Sequence, residues 1–279
     1  KEGLVDPFGG QADLQSGILR AVGVPHQRFT EDALRILRLY RFAARFGFSI
    51  DPPTAQAAQE LCAHLDCVSV ERIEEELAKL LSAPAPAAYL DEKILGVVLP
   101  ELSQEALAAA KPVVDACPAG AENLPIRLAA LLYSLGEDGI RRTLKRLRCS
   151  NALIEEAAVL VREARRRVPV SLNIYARRLL GKYNLCTVQR LAALGTALQP
   201  EHAADFAALS ELAEQLDADG VCCRVSQLAV NGRDLMAAGV PAGPGIRKVL
   251  EALLDGVIRE EYPNERQALL AAVQQLAAS

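Results

Sequence analysis

The sequence has no tryptophan, one methionine and three histidines, and aromatic residues make up only 4% of it. None of the seven cysteines (62, 67, 117, 149, 186, 222 and 223) forms a Cys-x-x-Cys pair. With so little histidine, a zinc site is not expected. The vicinal Cys222-Cys223 reads as two small buried apolar side chains in a reducing compartment rather than as a redox pair. No apolar run approaches the roughly 20 residues needed to cross a bilayer, and the first residues carry no signal-peptide pattern. No membrane partner is expected, and a cytoplasmic location is. Runs of β-branched residues are scarce, which argues against a sizeable sheet. Positive charge is in deficit: 31 Lys and Arg against 35 Asp and Glu give a net charge of −4. A simple basic nucleic-acid binder is thereby disfavoured, and any polyanion must be met by local basic faces.

What is present is alanine and leucine, in a chain of 279 residues that is 51% hydrophobic. Both residue types favour helix, and the length suffices for one large domain or two to three small ones. Lys1 to Gly10 reads as a short strand running into a tight turn. A lone strand needs a partner for its backbone, so the chain is expected to begin inside a domain. From about Ala12 the pattern is helical. Thr30 suits an N-cap, with Glu31 and Asp32 in a favourable first turn, and the helix is expected to stop at Gly47. Another begins near Pro52-Pro53-Thr54, and a further one at Ser69, where Val70, Ile73, Leu77 and Leu80 recur at helical spacing and Glu74, Glu75 and Glu76 take the solvent side. Breaks are expected at 83–87, 117–120, 168–169, 199–200, 217–220 and 240–245.

The helix after Thr30 carries the densest chemistry. Asp32 and Arg35 are neighbours at i, i+3, and Arg38, Arg41 and Arg45 continue round the same broad side. Apolar residues fill the spaces nearly all round, which predicts a buried helix. Buried arginines need anionic partners. On spacing alone these could be carboxylates such as Glu71, Glu74 or Glu75, or a nucleotide, since Asp accepts and Arg donates towards the polar edge of a base.

Asp6-Pro7-Phe8-Gly9-Gly10-Gln11-Ala12-Asp13-Leu14, Glu31-Asp32-Ala33-Leu34-Arg35-Ile36-Leu37-Arg38 and Ser69-Val70-Glu71-Arg72-Ile73-Glu74-Glu75-Glu76-Leu77 occur in the order of three motifs of class II CCA-adding tRNA nucleotidyltransferases, which the chain resembles. The strong likeness covers about Leu4 to Leu81. It implies a mostly helical, all-α neck–body–tail arrangement with a short β remnant of the head. The implied divisions are 1–20 for the end of the head and the hinge, 21–84 for the neck, 85–169 for the body and 170–279 for the tail. It implies that Asp32 and Arg35 read the Watson–Crick edges of CTP and ATP, with Arg38 at the second arginine of the signature. Glu31, Glu71 and Arg72 would support that helix, and Gly9, Gly10 and Asp13 would form the hinge.

The resemblance also exposes an absence. Nucleotidyl transfer in that family uses Mg²⁺ held by a carboxylate pair in a Gly-Ser-x-x-Asp-x-Asp segment, and this chain has no Gly-Ser. Its one Asp-x-Asp, Asp217-Ala218-Asp219, precedes Gly220 and reads as a turn. No catalytic or metal-ligating residue is therefore expected in this chain, which should depend on a missing head. Tyr133 and Ser134 stand where some relatives carry a His-Asp phosphohydrolase motif, so that activity is not expected either.

Basic clusters supply possible tRNA contacts: Arg141 and Lys145; Arg165 and Arg166; Arg177 and Arg178. The tail segments Asn231-Gly232-Arg233-Asp234-Leu235 and Gly243-Pro244-Gly245-Ile246 resemble the same family, and Arg247 and Lys248 follow the glycine loop. A solvated helix face explains each cluster equally well. Two other readings remain open at this point: a poly(A) polymerase of the same family, and a non-catalytic RNA-binding subunit.

Overall fold

The computed structural model describes residues 5–277. Lys1 to Leu4, where the sequence predicts a short strand, lie outside the described residues. The described residues are mostly helical, as expected. The described strands are β1 (Ile18–Leu19) and β2 (Ser49–Ile50), which pair in parallel with Ile18 opposite Ser49 and Leu19 opposite Ile50. β1 lies within the expected N-terminal segment 1–20, and its partner β2 lies beyond it.

The chain divides into two compact units. One comprises the residues up to Arg166 together with 193–200; the other comprises 167–192 and the residues from Glu201 onward.

The first unit contains α1 (Gly10–Ser16), α2 (Pro25–Glu31), α3 (Leu34–Phe46), α4 (Pro52–Glu60), α5 (Val70–Leu81), α6 (Glu92–Val98), α7 (Gln104–Ala116), α8 (Leu124–Leu132), α9 (Gly136–Arg146) and α10 (Asn151–Ala164). Helix α3 packs on α5. Its buried residues Leu34, Ile36, Leu37, Tyr40, Ala43 and Ala44 form one stripe, which meets Ile73, Leu77, Leu80 and Leu81 of α5. Gly47 ends α3 in the left-handed conformation (φ 67°), as its position after the last periodic residue predicts.

Two expectations fail here. Thr30 does not begin a helix: it lies inside α2, and its Oγ1 donates to the His26 carbonyl at 2.8 Å. The helical run is interrupted at Asp32, whose extended backbone (φ −152°, ψ 102°) separates α2 from α3. Nor is α3 buried on every side, since Phe46 is 52% exposed.

A buried arginine ties the parts of this unit together. Arg127 in α8 is 1% exposed. It donates to the carbonyls of Leu81, Ala83, Pro84, Cys117 and Pro118, the chain ends left where α5 and α7 stop. Helix C-termini leave carbonyls without partners, and the five donors of one guanidinium match that need. On α9, Ile140, Leu144 and Leu147 are buried, as their spacing predicts.

The second unit contains α11 (Leu172–Lys182), the first half of α12 (Leu185–Leu198), α13 (Ala203–Ala218), α14 (Gly232–Ala237), α15 (Gly245–Ile258) and α16 (Arg266–Ala277). One core joins Cys222, Val230, Leu235, Leu253, Val257, Leu269, Ala272 and Val273. Cys222 and Cys223 are buried free thiols, and burial pushes both up from the ordinary thiol range. Asp217 belongs to the last turn of α13 and Asp219 caps it, ahead of Gly220 with φ 62°. Asn231 caps α14 by accepting from Arg233 N and Asp234 N.

Candidate functional site

The break between α2 and α3 is where the motif residues converge. An aspartate can bond nearby backbone in place of the helical ladder, and Asp32 does so: its Oδ1 accepts from Leu34 N at 3.1 Å. Its Oδ2 accepts from Arg72 Nη2 of α5 at 3.1 Å. Arg72 thus reaches the seam from α5. Glu71, its neighbour, turns instead to Arg148.

Arg35 stands in the first turn of α3. Its Nη1 donates to Glu31 Oε2 at 2.6 Å and to the Arg28 carbonyl at 3.2 Å. Glu31 accepts from Arg28 as well, at 3.0 and 3.2 Å. Arg35 first and Arg28 second hold its carboxyl below the usual range.

Arg38 and Arg41 share a single buried carboxylate. Arg38 Nε donates to Glu76 Oε1 at 3.3 Å, and Arg41 Nε lies 3.0 Å from Glu76 Oε2. The side chain of Glu76 is 5% exposed. This corrects two expectations: Glu76 faces inward, not to solvent, and the partner of these arginines is neither Glu71, Glu74 nor Glu75. The spacing 73, 76, 77, 80 places Glu76 on the buried stripe of α5, a signal hidden within a run of three glutamates.

A cleft of about 450 Å³ opens beside this seam, lined by Arg20, Arg28, Arg35 and Arg38 and by apolar walls that include Phe29, Leu39 and Phe42. Part of the apolar surface of α3 outside the core stripe is therefore cleft wall. Sequence reasoning missed Arg20 and Arg28 as site residues. The only sequence signal for Arg28 is its i, i+3 spacing to Glu31. Such a lining can hold a flat, partly apolar, hydrogen-bonding ligand with negative charge nearby.

Gly9, Gly10 and Asp13, expected from the sequence to form a hinge, belong to the turn and helix that precede Arg20. Asp6 accepts from Gly10 N and Gln11 N at 2.7 and 2.9 Å, which fixes the turn around Gly9 (φ 72°). Asp13 pairs with Arg20 at 3.0 Å, and Arg20 reaches Asp51 at 2.7 Å. Gly10 and Asp13 line a second hollow of about 410 Å³ with Phe8, Leu14 and Phe48.

Five of the basic residues expected to meet RNA are already in ion pairs. Arg141 pairs with Glu137 and Glu155, and Arg166 with Glu163. In the second unit Arg177 pairs with Glu260, Arg178 with Asp255 and Arg247 with Glu251. Arg165 donates to the Tyr133 carbonyl and lies over the Tyr133 ring. Lys145 and Lys248 are exposed. No described helix is long and apolar enough to cross a membrane.

Comparison with known proteins places these observations. A family model described as tRNA nucleotidyltransferase domain 2 matches residues 126–273. A second, "Probable RNA and SrmB-binding site of polymerase A", matches residues 47–105. The CCA-adding enzyme of Lactiplantibacillus plantarum is 33% identical over 96% of this chain and 65% of its own length. That of Limosilactobacillus fermentum is 32% identical over 98% of this chain and 67% of its own. The chain thus spans about two thirds of the length of the curated relatives it matches. Among solved structures, the Bacillus stearothermophilus CCA-adding enzyme in complex with CTP aligns with a TM-score of 0.80 at 27% identity, over 98% of this chain and 69% of that one. The Thermotoga maritima CCA-adding enzyme complexed with tRNA shares the fold, with a TM-score of 0.67 at 20% identity over 98% of this chain and 67% of that one. With motifs, fold and family models in agreement, the chain belongs to the tRNA nucleotidyltransferase family that includes the CCA-adding enzymes.

Proposed function

We propose that this chain is the nucleotide-selecting and tRNA-binding part of a CCA-adding enzyme, which adds CMP and AMP from CTP and ATP to the 3′ end of tRNA in the cytoplasm. The observation that carries this reading is the seam at Asp32, which presents an acceptor and a donor, Asp32 and Arg35, on adjoining helix ends held by Arg72 and Glu31. An acceptor and a forked donor side by side match the mixed polar edge of cytosine or adenine. Each good bidentate contact supplies roughly 1–3 kcal/mol of base discrimination. The apolar walls of the cleft suit the faces of a base, and its arginines suit phosphate.

In this reading residues 1–20 are the end of a head and its hinge, with Gly9, Gly10 and Asp13 as pivots, and 21–84 the neck. Residues 85–169 and 170–279 are body and tail, which contact tRNA through Lys145, Lys248 and the arginines near them. The cleft does not fit a divalent cation: its charged lining is four arginines, which repel one. Mg²⁺ belongs to the remainder of the complete protein, and the chain alone is inactive.

The test incubates the complete protein with tRNA lacking its 3′ CCA and each nucleotide separately. CMP and AMP should be added, and Asp32→Ala or Arg35→Ala should erode the choice of base. Unchanged selection in both variants overturns the assignment. The match of residues 47–105 to a polymerase A segment favours one second reading, a poly(A) polymerase, which the same assay separates by AMP addition without CMP.

A further inference from the structure

Three charged side chains form a row across the seam: Arg28, Glu31 and Arg35. Glu31 receives Arg28 on both carboxylate oxygens, at 3.0 and 3.2 Å, and Arg35 on Oε2 at 2.6 Å. All three are substantially exposed, with 42%, 48% and 42% of their side-chain surface open. Exposed pairs of this kind contribute little to stability, so the row is better suited to orienting a group than to holding the fold.

Arg28 does more than close the row. Its Nε donates to the Val22 carbonyl at 2.9 Å, in the loop between β1 and α2. Its own carbonyl accepts from Arg35 Nη1 at 3.2 Å and from Asp32 N at 3.4 Å. One residue therefore touches Arg35 by its main chain, steers it through Glu31 by its side chain, and fixes both to a loop that walls the same cleft. Arg28 and Arg35 both line that cleft. Removing the Arg28 guanidinium leaves Glu31 with Arg35 as its one remaining partner in the row, which draws the Arg35 fork towards the carboxylate and away from the cleft.

We propose that Arg28 is a positioning residue for base selection: acting through Glu31, it sets the direction of the Arg35 guanidinium towards the edge of the incoming pyrimidine or purine. The proposal rests on the reading of Asp32 and Arg35 as the base-selecting pair.

The experiment measures kcat/KM of the complete protein on tRNA lacking CCA, with CTP against UTP, for the parent, Arg28→Met, Arg28→Lys, Glu31→Gln, the double variant Arg28→Met/Glu31→Gln, and Asp32→Ala. Arg28→Met should lower the CTP-over-UTP ratio about tenfold, the size expected for one misaligned base contact. Arg28→Lys can hold Glu31 but lacks the forked second donor for Val22, and should fall between. The double variant should be no worse than its worse single, because the two residues act in one row. The thermal midpoint should move by no more than a few degrees. If Asp32→Ala shifts the ratio while Arg28→Met lowers CTP and UTP use equally, Arg28 is merely structural and the proposal fails alone. If Asp32→Ala also leaves the ratio unchanged, the base-reading assignment itself fails. Should Arg28→Met not fold, the ratio in Arg28→Lys decides by the same criteria.

Discussion

Arg72 reaches from α5 to Asp32 at 3.1 Å, across 40 positions of sequence, and so couples the α2–α3 seam to the helix that packs beneath it. The pair is partly open, with 48% and 27% of the two side chains exposed. Its removal should therefore cost little stability, about 1 kcal/mol or less. Arg72→Met frees the Asp32 carboxylate to rotate. The expected outcome is weakened base selection with a nearly unchanged unfolding midpoint, checked by single-nucleotide incorporation and denaturant titration on the same preparation.

Glu76 is the reverse case. It is buried and meets Arg38 and Arg41, of which Arg41 is itself only 14% exposed. Glu76→Gln leaves the partly buried Arg41 guanidinium without its anion, at a cost of roughly 3 kcal/mol, the lower end for a broken buried pair. Urea unfolding should show a lower midpoint with an unchanged slope.

Arg127→Met should destabilise the first unit by about 3 kcal/mol or more. The five carbonyls it now satisfies sit where two helices end, and stranded buried acceptors cost about 1–3 kcal/mol each before relaxation. Arg127→Lys should recover only part of this, since an ammonium has three donors and no fork. Calorimetry on the three proteins provides the comparison.

Stability should depend on pH through carboxylates whose titration differs between the folded and unfolded chain. Hydrogen bonding to Arg141, with further help from Arg162, holds Glu137 below its ordinary value, and Lys79 does the same for Glu75. Such groups bind fewer protons folded than unfolded, so their stabilisation is present above about pH 4.5 and is lost as pH falls through their lowered folded values. Glu74 runs the other way: burial, then repulsion from Glu75, raises it. Its contribution is complete below the unfolded value and is lost as pH rises through the raised one. Lowered carboxylates outnumber Glu74, so the unfolding midpoint should fall between pH 5 and pH 3.

Thiol reactivity should follow burial. Cys67 and Cys186 are exposed. Burial pushes Cys117 to about 12, and burial with Glu74 beside it pushes Cys149 to about 12. At pH 8 iodoacetamide should label Cys67 and Cys186 first and leave Cys117 unmodified until the chain unfolds, read by mass spectrometry.

Much of the helical layout was legible from periodicity and capping. The helix after Ser69, the stop at Gly47 and the buried stripe of Ile140, Leu144 and Leu147 needed only spacing and a glycine. The interruption at Asp32 was not legible, because Glu-Asp-Ala-Leu is compatible with an unbroken helix. What accompanies the break is a pair of bonds that the Asp32 carboxylate accepts together, a local one from Leu34 N and a distant one from Arg72. The inward turn of Glu76 was concealed by two neighbouring glutamates. Arg127 was visible as one charge in an otherwise apolar helix, yet its partners are main-chain atoms, which leave no trace in side-chain identity.

The seam at Asp32 has an evolutionary consequence. Asp32 and Arg35 lie outside the apolar stripe that holds α3 to α5, while Leu34, Ile36 and Leu37 between and beside them lie within it. If Asp32 and Arg35 select the base as proposed, specificity and stability are written in alternating letters of one short segment. Under that proposal, substitutions at the exposed positions would change the choice of base while the packing beneath stays intact, so new preferences would be reachable by single steps through folded intermediates.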